Sequence, residues 1–234
     1  MNTLLIIDTT HPNRLSDHPL IQLKPDIINN SELLEQVNFK FSDFDLIIDA
    51  CFEQETSRVE SYAELTGDKM VLVSTPYDTL HNILYEYSMV SMKASLYGFN
   101  GLPYFFKNTT WEVSSFNNQN TAKLAQIFNE IGLSTRFVKD QVGLVALRTI
   151  ATIINEAYFM LAEGSANAID IDQAMKLGVN YPNGPFEWVA EIGIEPIFNV
   201  LHRLKNTVSA ETYKIAPALY RAYELSMINQ VIAN

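Results

Sequence analysis

The hydrophobic period of this chain changes once, near residue 140, and that change restricts the architecture to two parts. Upstream, short apolar runs of strand type alternate with helical patterns; downstream of Gly143 every pattern is helical. The stretch Asp140 to Trp188 carries the change. It reads as about twenty residues of nearly unbroken helix, a stop at Gly164, a helix over IDIDQAMKLG and a YPNGPFEW turn.

Upstream, Leu4 to Asp8, Leu20 to Leu23, Asp45 to Ala50 and Met70 to Ser74 are short apolar runs with polar ends, the pattern of parallel strands covered on both faces. Ser95 to Phe99, Trp111 to Ser115 and Thr135 to Val138 read as later strands. Helical patterns lie between them: Ser31 to Gln36, an exposed helix over Glu53 to Leu65, Thr79 to Tyr87, and Thr121 to Ile131, which Gly132 stops. Strands alternating with helices predict an α/β fold, a reduced, doubly wound, Rossmann-like parallel sheet over residues 1–138. Ligands of such sheets sit at the carboxyl ends of the strands.

Downstream, Leu147, Ile150, Ile154, Ala157 and Leu161 form one apolar stripe. Gly178 is expected to close the second helix, and Gly184-Pro185 to open the third. Two further amphipathic helices follow over Pro196 to Leu204 and Pro217 to Ile232. Residues 139–234 therefore form an all-helical domain of about 95 residues. Its apolar faces exceed the needs of one small bundle, which predicts a homodimer through it.

The 234 residues carry a net charge of −11, which argues against nucleic acid and against an anionic membrane surface. Cys51 is the only cysteine, so neither a disulfide framework nor a thiolate metal cluster is expected. The N-terminus has no basic region before its short apolar run, and no segment reaches the roughly 18 apolar residues of a membrane span. The expectation is a soluble, cytoplasmic protein.

A dinucleotide site of the Rossmann class needs glycines directly after the first strand, so that the backbone can approach the pyrophosphate. Here the first glycine is Gly67, and LLIID is followed by TTHPNRLSDHP. Asp8 reads as a structural acid at a strand end. His11 and His18, near Asp8 and Asp17, lack metal-ligand spacing. His81 and His202 are lone residues in helical patterns, so no metal site is expected. Met175, Phe159, Phe186 and Trp188 read as core and turn packing.

GLVALRTIATIINEAYFMLAEG followed by AIDIDQAMKLGVNYPNGPFEWVAEIG resembles the helical domain of 3-hydroxyacyl-CoA dehydrogenases. That family carries a PGF-x-x-N-R opening, N-E-A within a helix, D-I-D-x-A-M-x-x-G, and G-Y-P-x-G-P-F-E. These stand here as Gly143-Leu144 with Arg148, Asn155-Glu156-Ala157, Asp170 to Gly178, and Tyr181 to Glu187. AETYKIAPALYRAYE is similar to the short-chain, 3-hydroxybutyryl-CoA members. Upstream, FDLIIDACFEQETSR, VLVSTPYDTL and GLPYFFKNTTWEVS resemble the family's D-L-V-V-E-A-x-x-E, S-N-T-S-S-L and G-L-H-F-F-N-P segments, the last followed by V-E-V. The resemblance covers about Asp45 to Glu224, and the first βαβ region looks cut down.

The resemblance implies hydride transfer between NAD and a 3-hydroxyacyl-CoA, with a histidine base supported by a carboxylate. Aligning the two phenylalanines puts Tyr104 at the histidine position, and aligning the Gly-Leu pair puts Pro103 there. Glu112 matches the paired glutamate, Leu147 the asparagine before the arginine, and Glu53 an acid near the nicotinamide. The leading expectation is a family homologue with neither NAD binding nor dehydrogenase activity, which binds acyl-CoA or serves as a dimeric structural or partner protein. It expects no cofactor. Two alternatives stand beside it: an active oxidoreductase on short-chain 3-hydroxyacyl-CoA in fatty-acid metabolism, using NAD, Glu112 and Tyr104, and a structural subunit paired with an active paralogue.

Overall fold

The computed structural model describes residues 1–7, 15, 17–30, 32, 39–89 and 91–233. The chain forms two compact units, Met1–Leu144 and Val145–Asn234. The division falls after 138 because the following segment is still tied to the first unit. Gly143 N–H donates to the Pro76 carbonyl (3.1 Å), and the Asp140 carboxylate accepts from the Leu80 and His81 amides.

The first unit is a seven-stranded sheet of β1 (Thr3–Ile7), β2 (Asp26–Asn29), β3 (Leu46–Asp49), β4 (Met70–Ser74), β5 (Ser95–Phe99), β6 (Thr110–Ser115) and β7 (Ser134–Phe137). The spatial order is β2-β1-β3-β4-β5-β6-β7. The first five strands are parallel, β6 is antiparallel to β5, and β7 is parallel to β6. Among the described residues one strand, β2, lies outside β1, where a Rossmann half has two. The helices are α1 (Val59–Ala63), α2 (Leu80–Glu86), α3 (Pro103–Phe106) and α4 (Thr121–Glu130).

Alternation along the strands builds a core on each face. Leu4, Ile6, Ile47, Val71, Val73 and Leu96 pack with Val59 and Tyr62 of α1 and with Leu80, Ile83 and Leu84 of α2. Leu5, Ile7, Ile48, Leu72, Phe99, Trp111 and Val113 pack with Phe106 of α3 and with Leu124 and Phe128 of α4. Gly98 of β5 sits where chains crowd. A Cβ there would lie 2.6 Å from Thr75 Oγ1 and 2.7 Å from Ser114 Oγ.

Three sequence expectations change. The run Leu20 to Leu23 is a 3-10 helix (Pro19–Leu23) rather than a strand, because Pro19 opens it and the His18 ring accepts from the Leu20 amide. The strand beside β1 is DIIN, with Leu5 opposite Ile27. The segment expected as one exposed helix over Glu53 to Leu65 is two 3-10 turns followed by α1, with Arg58 and Tyr62 turned inward. The helix expected over Ser31 to Gln36 lies outside the described residues, except Glu32. Gly132, with φ of 84°, does follow α4 as its stop.

The second unit is α5 (Ala146–Ala162), α6 (Ala168–Val179), α7 (Pro185–Ile192), α8 (Ile194–Thr207) and α9 (Pro217–Ala233). α5 is central and packs against α7, α8 and α9. Gly178 lies inside α6, and Asn180, in the left-handed conformation, caps it instead. The motif residues hold the unit together. Asn155 donates to the Lys214 carbonyl and accepts from the Ala216 amide, both at 2.9 Å. The Asp172 carboxylate accepts from the Phe186 amide (2.8 Å), and Glu187 reaches back to the Gly184 amide (2.9 Å). Lys176 pairs with Glu187, and the Arg148 guanidinium meets the Tyr213 hydroxyl. Along α9, Leu225, Ile228 and Ile232 form an exposed stripe. Among the described residues no helix is long and apolar enough to cross a membrane.

His18 is 6% exposed and stacks on Phe106 with ring centroids 4.7 Å apart. Its Nδ1 accepts from Leu20 N–H, so Nε2 carries the proton and donates to the Phe106 carbonyl (3.0 Å). Burial lowers its pKa below the ordinary 6.5, the carbonyl bond opposing. The unfolded chain therefore takes up a proton that the folded chain resists. Stability contributed by neutral His18 is present above pH 6.5 and is lost as pH falls below that value through the folded-state pKa. Urea denaturation at about pH 7.5 and 5.5 will show this loss in the native chain and a smaller one in His18→Gln.

Candidate functional site

The carboxyl ends of the parallel strands are where this fold places ligands. At the end of β3 the Asp49 side chain is wholly buried. Arg58 lies across it, with Nε 2.7 Å from Oδ2 and Nη2 3.0 Å from Oδ1. The Tyr62 hydroxyl donates to Oδ2 (2.8 Å) and the Cys51 amide to Oδ1 (3.1 Å). Four donors saturate the carboxylate. Burial pushes the Asp49 pKa up, and Arg58, Tyr62 and the Cys51 amide oppose it. Burial alone would lower that of Arg58, but Asp49 more than offsets it and keeps the guanidinium charged. Burial, reinforced by the Asp49 charge, raises the Tyr62 pKa well above its ordinary value and keeps the hydroxyl a donor.

The network extends to the end of β2. Arg58 Nη1 donates to Asn30 Oδ1 (2.7 Å) and to Glu55 Oε2 (3.0 Å), and Asn30 Nδ2 donates to Gln54 Oε1 (3.2 Å). A Rossmann site for NAD uses a carboxylate near the end of its second strand to hold the ribose. Here an amide stands there, with its carbonyl oxygen already engaged by Arg58. Sequence reasoning missed this network. Its one local signal is an acid closing a wholly apolar strand, since such an acid needs a cation from elsewhere.

At the ends of β4 and β5, Ser74 Oγ accepts from the Gly101 amide (3.1 Å), and Asn100 Oδ1 accepts from the Leu102 amide (3.1 Å). Tyr104 lies in α3, its ring edge-on to Phe105 and under the Lys107 ammonium, 4.6 Å from the ring centroid. Pro103 starts the same turn. Glu112 is half-buried on β6, opposite Arg136 of β7. Tyr104 thus comes from a helical turn and Glu112 from a strand face. Glu53 is half-buried in a 3-10 turn. Leu147 is wholly buried on α5, and His202 stacks on Phe198 (5.6 Å). Asp8 and His11 lie outside the described residues. Among those described, no group of three or more His, Cys, Asp or Glu is placed to hold a metal.

Residues 143–230 match the family model described as 3-hydroxyacyl-CoA dehydrogenase, C-terminal domain. The chain is 39% identical over 94 residues to a 3-hydroxyadipyl-CoA dehydrogenase of Escherichia coli K12, covering 40% of this chain and 20% of that protein. It is 27% identical over 165 residues to a probable 3-hydroxyacyl-CoA dehydrogenase of Caenorhabditis elegans, covering 69% and 55%. The chain thus spans about half or less of the length of these curated relatives. The crystal structure of (S)-3-hydroxybutyryl-CoA dehydrogenase from Ralstonia eutropha superposes with a TM-score of 0.75 over 97% of this chain and 94% of that one. At 17% identity this shows a shared fold.

The buried pair makes one side of the network dispensable only at high cost. Arg58→Met leaves Asp49 as an uncompensated buried carboxylate and will lower stability by about 3–5 kcal/mol in urea denaturation.

Proposed function

We propose that the chain is a 3-hydroxyacyl-CoA dehydrogenase-family protein, as the match of residues 143–230 supports, and that it works without NAD-linked hydride transfer, as a dimeric acyl-CoA-binding or partner protein of the cytoplasm in fatty-acid metabolism. The observation that carries this reading is the closed network at the ends of β2 and β3. Asn30 replaces the ribose carboxylate, and its acceptor oxygen is taken by Arg58, itself locked on Asp49. Two sequence facts support it: residues 1–66 contain no glycine to cradle a pyrophosphate, and neither register gives a histidine at the base position. These residues do not fit NAD held in the manner of a Rossmann site, so no step is assigned to it. Self-association rests on the exposed stripe of Leu225, Ile228 and Ile232 on α9, with Ile169 and Leu177 of α6 also exposed.

Calorimetry with NADH, and NADH oxidation in the presence of acetoacetyl-CoA, test the first part. The expected result is no micromolar binding and no turnover above background. Micromolar binding overturns the reading, and turnover lost in Glu112→Gln would establish the dehydrogenase alternative. Light scattering tests the second part; a dimer mass is expected, and a monomer at micromolar concentration rejects self-association.

A further inference from the structure

On the first unit, the start of α2, the end of β6 with its following turn, the start of α4 and the segment after β7 line an open cavity of about 770 Å³. That lies within the roughly 300–1,000 Å³ of small-molecule sites. His81, Asp140, Lys139, Phe116, Phe137 and Asn118 are among its lining residues.

Asp140 is 7% exposed at its side chain and holds four donors. Oδ1 accepts from Leu80 N–H (3.1 Å) and Ser114 Oγ (3.3 Å); Oδ2 accepts from His81 N–H (3.2 Å) and His81 Nδ1 (2.8 Å). Capping α2 requires only the backbone donors; the imidazole is an addition. Because Nδ1 faces the carboxylate, it carries the proton in the neutral ring, and Nε2 is left as an acceptor on the far side of a side chain that is 64% exposed. A carboxylate that fixes the tautomer of an exposed histidine lining a cleft is an arrangement that receives a proton donor from a ligand. The Asp140 charge is already answered by its donors. Lys139 supplies the lining's cation for a ligand anion. Phe116, its ring 5.1 Å from that of His81, and Phe137, 43% exposed, supply apolar walls for a flat ring.

We propose that this cavity binds a small aromatic hydroxy-acid, its hydroxyl donating to His81 Nε2, its carboxylate at Lys139 and its ring between Phe116 and Phe137. The proposal is independent of the reading of the NAD region.

NMR titration of the full chain with 4-hydroxybenzoate, and with benzoate as the analogue lacking the hydroxyl, tests it. Saturable shifts at His81, Lys139 and Phe137 are expected, with benzoate bound about fivefold more weakly, the net worth of one hydrogen bond. His81→Phe, at an exposed position whose fold is checked by its melting curve, abolishes that discrimination. Lys139→Met weakens both probes and removes their salt dependence. The absence of shifts up to about 20 mM probe, equal affinity for the two probes, or binding indifferent to both substitutions overturns the proposal.

Discussion

Burying the Asp49 carboxylate at the end of β3 commits a large part of the first unit. An ionised group without water needs a counter-charge and donors for its remaining lone pairs. Arg58 supplies the charge, and to reach Asp49 the chain must fold back through two 3-10 turns rather than leave as an exposed helix. That return brings Tyr62 of α1 onto the same carboxylate and sets its ring against Phe41 and Phe52 in the core. The guanidinium also reaches the end of β2 through Asn30. One ion pair therefore joins the ends of β2 and β3 to α1.

The same economy recurs elsewhere. Asp140 closes the start of α2 from a segment beyond β7, and Asp172 closes the start of α7 from α6. Asn155 satisfies both a carbonyl and an amide before α9. Helix ends leave backbone donors unpaired, and a side chain from another element satisfies them and fixes the packing of both. The motifs that mark the family in residues 143–230 are largely such fixtures. Their presence identifies the fold of the helical unit and is compatible with more than one activity.

Much of this was legible locally. The change of period near 140 placed the sheet before the helical unit, because apolar alternation and the 3.6-residue stripe are properties of contiguous residues. The two halves of the Rossmann-like sheet, α4 with its stop at Gly132, and the start of α7 at Pro185 follow from the same reasoning. Local signals failed where two readings shared one pattern. LIQL has the apolar run of a strand, yet the segment that pairs with β1 is DIIN, which the local pattern did not single out. Gly178 looked like a helix stop, yet α6 continues one residue further and closes at Asn180.

The sequence by itself determined the fold class, the family resemblance of residues 143–230 and the absence of glycines after the first strand, since each is a matter of neighbouring residues. Only the tertiary structure decided which acids are answered and by what. Asp49 meets Arg58 nine residues on, and Asp140 meets His81 across 59 residues. Neither partner can be read from spacing, because a charge buried by the fold takes its counterpart from whichever element the packing brings within hydrogen-bond reach.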